Sequence, residues 1–412
     1  MNKACTLFCA VALLLSGCSL WQKKIVVLCT DQAEIAAYVE YFNAHQDEVR
    51  VELRYSESPA RAVLEEKTMV DLVLGEGLTS AQVLAELLPL ESLLKRERIS
   101  REGFYQGLLE SGRYENRQAA LPFSFELPTI VFDPESNGSD IPNLVLSLEY
   151  LRDKGAAFNQ LVRDSYVRMG FSPLWNSDVL YLGTVLLGAD FREQKPGSLL
   201  WNEELLEEAA AYFRTWVEET NGGADLEQAF ISKYMYEPYA NLLRERRIRF
   251  YLTDSRLLFR ALEAQEDTVD FRWLAHEGKI VALERSLYAG VPKKAGNRWG
   301  ARLFLEWLFH PETQRTLLDI NQEKNLKMLG LLGGFSSLRE INEQDFPRLY
   351  PVMIGRIPAE DFIKFPGPLP PDWGRIKAEV LLPWLVRQAV GIGGEASLTE
   401  QLRVYRAETE IP

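Results

Sequence analysis

The order of apolar runs constrains the fold of this chain more than any other feature. Ile25-Val26-Val27-Leu28-Cys29 is a continuous apolar stretch, the pattern of a strand covered on both faces. Thr30-Asp31 follows as a capping pair, and Ile35, Val39 and Phe42 recur at helical spacing between Gln32 and His45. Val49, Val51 and Leu53 then alternate as in a strand, and Ala60 to Lys67 reads as a second helix. Val70 to Leu74 reads as a third strand, ending at Gly75-Glu76-Gly77. Such alternation predicts an α/β protein of open, mostly parallel sheets flanked by helices, with ligands at the carboxyl ends of strands.

The middle of the chain repeats the pattern. Thr129 to Phe132 and Tyr166 to Met169 are strand-like around a helical Leu144 to Arg152, and two long helical stretches follow, Asp178 to Leu187 and Glu203 to Thr220. Arg247 to Leu252, Phe271 to Leu274 and Ser286 to Val291 read as further strands, and Trp299 to Asn321 is helical again. A loop from Gly330 to Ser337 and a stiff Pro366 to Pro371 patch precede a mostly helical tail.

The first residues carry an address. A single early Lys3, an apolar core from Leu7 to Leu15 and the run Leu15-Ser16-Gly17-Cys18 have the form of a bacterial lipoprotein signal. Cleavage is expected before Cys18, whose acyl chains would hold the protein at a membrane surface. Of four cysteines, Cys5 and Cys9 would leave with the leader and Cys18 would be lipidated, so Cys29 reads as a small buried hydrophobe. A net charge of -13 argues against nucleic acid as a partner.

Several segments, in this order, resemble the extracellular solute-binding proteins of carbohydrate-type ABC importers, the maltodextrin-binding class among them. Glu34 to Leu53 and Val70 to Gly75 resemble the family's opening helix and its next two strands. Gln118 to Phe123 followed by Thr129 to Pro134 resembles its first crossover. Leu287 to Pro292, with Asn297 to Leu318 containing His310-Pro311-Glu312, is similar to its second crossover and helix pair, and Asp372 to Arg406 to its closing helices. The resemblance implies a two-lobed, type II periplasmic-binding-protein fold with hinge crossovers. Its parts would be a signal at 1–17, a tether at 18–23, a first lobe of 24–127 with 286–331, and a second of 128–285 with 332–412. It also implies a monomer that needs no cofactor or metal, carries a small solute with sugar favoured, and meets membrane permease subunits.

Sugar sites need flat apolar faces for pyranose rings and polar groups for hydroxyls. Trp175, with Asn176, and Trp373 match stacking positions of the family, although each also suits a packed plug. Asp31, Glu76 and Glu126 align with cleft positions, where a carboxylate accepts from vicinal hydroxyls or attracts a cation. Asp31 also suits a helix cap, and Glu76 and Glu126 solvated surface. Asp254 fits a cleft contact or a cap, and Phe335 lies in the loop near the cleft. The chain departs from the family at Gly75-Glu76-Gly77 and Thr253-Asp254-Ser255, where sugar binders place aromatic platforms. The departures leave room for a smaller, more polar or cationic solute. Arg244 to Arg249 forms a basic cluster that reads first as a solvated helix end and strand edge.

Two rival functions stand beside capture and release. A secreted glycoside-acting enzyme needs only two suitably spaced carboxylates, while a surface lipoprotein binding a host or acting as a sensor could use the same fold. Only His45, His276 and His310 are available to a histidine-based triad or zinc site, and no nucleophile elbow, His-Glu-x-x-His or phosphate loop is present.

Overall fold

The computed structural model describes residues 24–65, 69–95, 99–137, 141–195, 197–263, 269–392 and 396–409. Cys18 and the whole leader lie outside these residues. Among those described, no helix is long and apolar enough to cross a membrane.

A six-stranded sheet organises the first lobe, in the order Phe335–Ser336, Ala120–Phe125, Leu287–Gly290, Leu72–Gly75, Lys24–Thr30, Val49–Tyr55. Lys24–Thr30 lies inside it; Val26, Leu28 and Cys29 have no exposed surface, while Ile25 is 50% exposed, so both faces are covered only toward the end of the strand. Helix Ala36–Ala44 turns Tyr38, Val39 and Phe42 onto this core, where Phe42 meets Phe304 edge-on at 5.0 Å.

The second sheet is four-stranded, in the order Tyr251–Asp254, Pro128–Phe132, Asp270–Ala275, Val145–Ser147. Its core includes Ile130, Phe132, Phe250 and Leu274, overlain by helices Ser177–Leu186, Glu203–Thr215 and Leu382–Ala389.

The expectation of mostly parallel sheets needs correction. Lys24–Thr30 is parallel to both its neighbours, but Leu287–Gly290 and Ala120–Phe125 add three antiparallel pairings. The physical reason is connectivity: these strands exchange directly with the other lobe, with no crossover helix to reverse their direction. The second sheet is likewise mixed, with Pro128–Phe132 antiparallel to both neighbours. Ser165–Arg168 is a strand, but it pairs with Gln160–Val162 in a separate two-stranded hairpin and joins neither main sheet.

The expected lobe boundary at residue 331 also moves. Phe335–Ser336 pairs with Ala120–Phe125, so this segment belongs to the first sheet, and the chain joins a second-lobe strand only at Ile363–Lys364, paired with Ile280–Val281. The glycine turn before Phe335 causes the return. A Cβ on Gly334 would lie 2.6 Å from the Phe125 carbonyl oxygen, so only glycine permits this approach.

Candidate functional site

The chain passes from one sheet to the other at Glu126-Leu127 and again at Leu283 to Ser286. These crossovers lie side by side, because the Leu283 N–H donates to the Glu126 carbonyl at 2.9 Å. Their side chains form an ion cluster. The Glu126 carboxylate, 1% exposed, meets Arg256 at 2.9 Å and Arg285 at 3.0 Å, and Arg285 also reaches Asp254 at 2.9 Å. Burial raises the Glu126 carboxyl pKa above its ordinary range, opposed by Arg285 and Arg256. Burial pulls the Arg285 pKa down, but Glu126 and Asp254 outweigh it and hold the guanidinium charged. Arg256 also donates to the Leu332 carbonyl at 3.2 Å, tying a second-lobe helix to the glycine turn.

Two cavities adjoin this cluster, of about 960 and about 990 Å³, and share Glu284, Arg285 and Lys377 as a common wall. Lys377, on the closing helices, contacts the Glu284 carboxylate and meets Asp178 at 3.3 Å. The larger cavity takes Asp31, Glu76 and Tyr288 from the first lobe and Trp373 from the second. The other is lined mainly by the second lobe, including Asn176, Asp254, Tyr239 and Tyr251, with Lys327 reaching in from the first.

Asp31 and Glu76 come together at the strand ends. The Glu76 N–H donates to the Asp31 carboxylate at 3.1 Å, and the Gln32 side chain donates to it at 2.8 Å. A Cβ on Gly75 would lie 2.7 Å from that carboxylate, so the residue before Glu76 must be small. This geometry replaces an aromatic platform with an acidic notch. Burial, then repulsion from Asp31, raises the Glu76 carboxyl to about 7, and burial raises Asp31 as well. At neutral pH Glu76 therefore exists in both forms and can donate or accept.

The remaining expected residues divide clearly. Asn176 lines a cavity, but its side chain also caps helix Ser177–Leu186 by accepting from the Asp178 N–H at 2.9 Å. Asp254 does both jobs too, accepting from the Leu257 N–H at 2.8 Å while bound to Arg285. Trp373 lines the larger cavity but is 5% exposed, packed on Phe191 at 5.6 Å and Tyr181 at 6.0 Å.

The structure brings neither Trp175 nor Phe335 into the two cavities. Trp175 lines neither cavity; its ring stacks one face on Phe230 at 5.7 Å and meets Phe171 edge-on at 5.9 Å, so it is held as a packed ring. Phe335 is 1% exposed between Phe125 at 5.5 Å and Phe346 at 5.2 Å, inside the core.

Sequence reasoning missed Arg285, Lys377, Tyr239 and Tyr251. The pair Glu284-Arg285, between apolar runs on both sides, was the available signal for the crossover. No local pattern distinguishes the tyrosines.

Two sheets joined by adjacent crossovers, with cavities between them, decide the fold. The chain has the two-lobed fold of ABC solute-binding proteins. An ABC substrate-binding protein from Listeria monocytogenes, solved with cycloalternan, covers 95% of this chain over 100% of its own, at 12% identity and a TM-score of 0.64. A cyclo/maltodextrin-binding protein solved with maltotetraose covers 95% over 99% of its own, at 14% identity and 0.66. The GacH receptor of Streptomyces glaucescens, solved with and without acarbose, covers 94% over 98% of its own, at 14% identity and 0.64. No family model and no curated sequence matches. What this chain shares with those solute-binding proteins is architecture; few side chains are held in common.

Proposed function

We propose that this protein is the lipid-anchored capture component of an ABC importer and that its cargo is a saccharide. The observation that carries the reading is the cleft itself: two cavities flank the crossovers and take side chains from both lobes. A solute touching both walls favours the closed form over the open one and shifts the population accordingly. Structures of the same fold contain cycloalternan, maltotetraose and acarbose, which supports a sugar. Binding without turnover is the corresponding role; the carboxylates near the cleft act as hydrogen-bond partners and hinge ions. Cys18 would carry the acyl anchor, and the closed form would be presented to the permease.

The test is a thermal-shift screen of neutral and acidic saccharides, amino acids and polyamines, followed by calorimetry and small-angle scattering. A saccharide should raise the melting temperature, because it binds only the folded state, and should contract the particle. Release of a chemically altered product, or stabilisation by none of the saccharides, refutes the reading.

A further inference from the structure

The chain has a net charge of -13, yet the cavity of about 960 Å³ is lined by five cationic side chains and three carboxylates. The carboxylates are already engaged: Asp178 and Glu284 face Lys377, and Asp254 faces Arg285. The other three cations come from separate elements. Arg244 ends helix Tyr239–Arg244, Arg260 lies on helix Ser255–Glu263, and Lys327 follows the first-lobe helix Pro311–Glu323. All three are exposed, and none pairs with a carboxylate among the described residues. Part of the basic stretch read as a solvated helix end therefore faces the cleft.

Beside them lies an aromatic pair. Tyr239 and Tyr251, both half-buried, stack on one another at 5.0 Å with their planes 9° apart and line the cavity next to Leu257, which is 51% exposed. Cations without a carboxylate partner, of which Arg244 also donates to the Asn241 side-chain oxygen, form a composite site with the tyrosine pair: the rings offer apolar contact to a sugar ring and the cations offer charge-assisted donors to an acid group.

Building on the sugar-binding reading, we propose that the solute is an anionic saccharide. Its ring lies against Tyr239 and Tyr251, and its acid group is met by Arg244, Arg260 and Lys327. A carboxylate, a sulfate ester and a phosphate ester share this chemistry. Because Lys327 comes from the opposite lobe, the same charge also rewards closure.

Calorimetry on the mature protein tests this with maltotetraose as the neutral probe and an oligogalacturonate, a sulfated disaccharide and a sugar phosphate as the acidic ones. At least one acidic probe should bind more tightly than maltotetraose and lose affinity at high salt. The double variant Arg260→Ala/Lys327→Ala should bind that probe about tenfold or more weakly, a larger fold-loss than the same variant shows for any neutral sugar. Both side chains are exposed, so the melting temperature of the free variant should match wild type, and the tightest acidic probe identifies the acid group. Equal or tighter binding of maltotetraose, indifferent to salt and to the double variant, overturns the proposal while leaving the sugar reading in place. Binding of none of the saccharides overturns both.

Discussion

Glu227 offers a sharp test of how this fold tolerates a buried acid. Its side chain has no exposed surface; it accepts from Asn221 at 2.8 Å and contacts the Ser172 hydroxyl. Among the described residues no cation pairs with it, and burial raises its pKa from 4.5 to about 7, against the two hydrogen bonds. Below pH 4.5 folded and unfolded chains both hold the proton. Between 4.5 and about 7 the unfolded chain releases it while the folded chain keeps it, so stability falls as pH rises. The difference of about 2.5 in pKa corresponds to about 3 kcal/mol of stability lost above that window. Glu227→Gln imitates the protonated carboxyl, with one acceptor for Asn221 and one donor for Ser172. Urea unfolding of both proteins across pH should give similar stabilities near pH 4.5, then a growing advantage for the variant that levels off above about 7. A difference that does not vary with pH would show that Glu227 is ionised throughout and refute the reasoning.

Three further outcomes are expected. Arg285→Ala leaves Glu126 buried with Arg256 as its remaining ion-pair partner, and should cost about 3 kcal/mol in urea unfolding; a loss below about 1 kcal/mol would mean that the link between crossovers is weak. Trp175→Ala and Trp373→Ala remove rings held by aromatic neighbours and should each destabilise by about 3 kcal/mol, whereas unchanged melting would mark the ring as a ligand shelf. Glu193, on a second-lobe hairpin, accepts from the first-lobe Ala81 N–H at 2.7 Å. Glu193→Ala should open the free protein, seen as a larger radius of gyration, and an unchanged scattering profile would show that the contact does not hold the lobes together.

Legibility followed the range of the interactions. Lys24–Thr30, its helix and the next two strands were readable because burial on two faces leaves an uninterrupted apolar run, and burial on one leaves a period. Asp31 and Glu76 were readable as strand-end acids, and both line the larger cavity. Ser165–Arg168 was readable as a strand, but not as part of a separate hairpin, because a short hairpin shares the same residue preferences as a large sheet. The position of Phe335–Ser336 depends on a glycine turn and a partner more than two hundred residues away in the chain, which no window encompasses. Trp175 and Phe335 misled because aromatic side chains serve core and ligand equally well, and only the surrounding rings decide between them. Lys377 and Arg285 escaped because their value comes from carboxylates supplied by other segments.

The return of Phe335–Ser336 to the first sheet has a consequence for biogenesis. That sheet cannot be completed until about four-fifths of the polypeptide has been synthesised, and the other core waits for helices nearer the end still. Pairings this distant close slowly, so the first-lobe sheet gains its edge strand only after most of the chain, including every strand of the other main sheet, has been made.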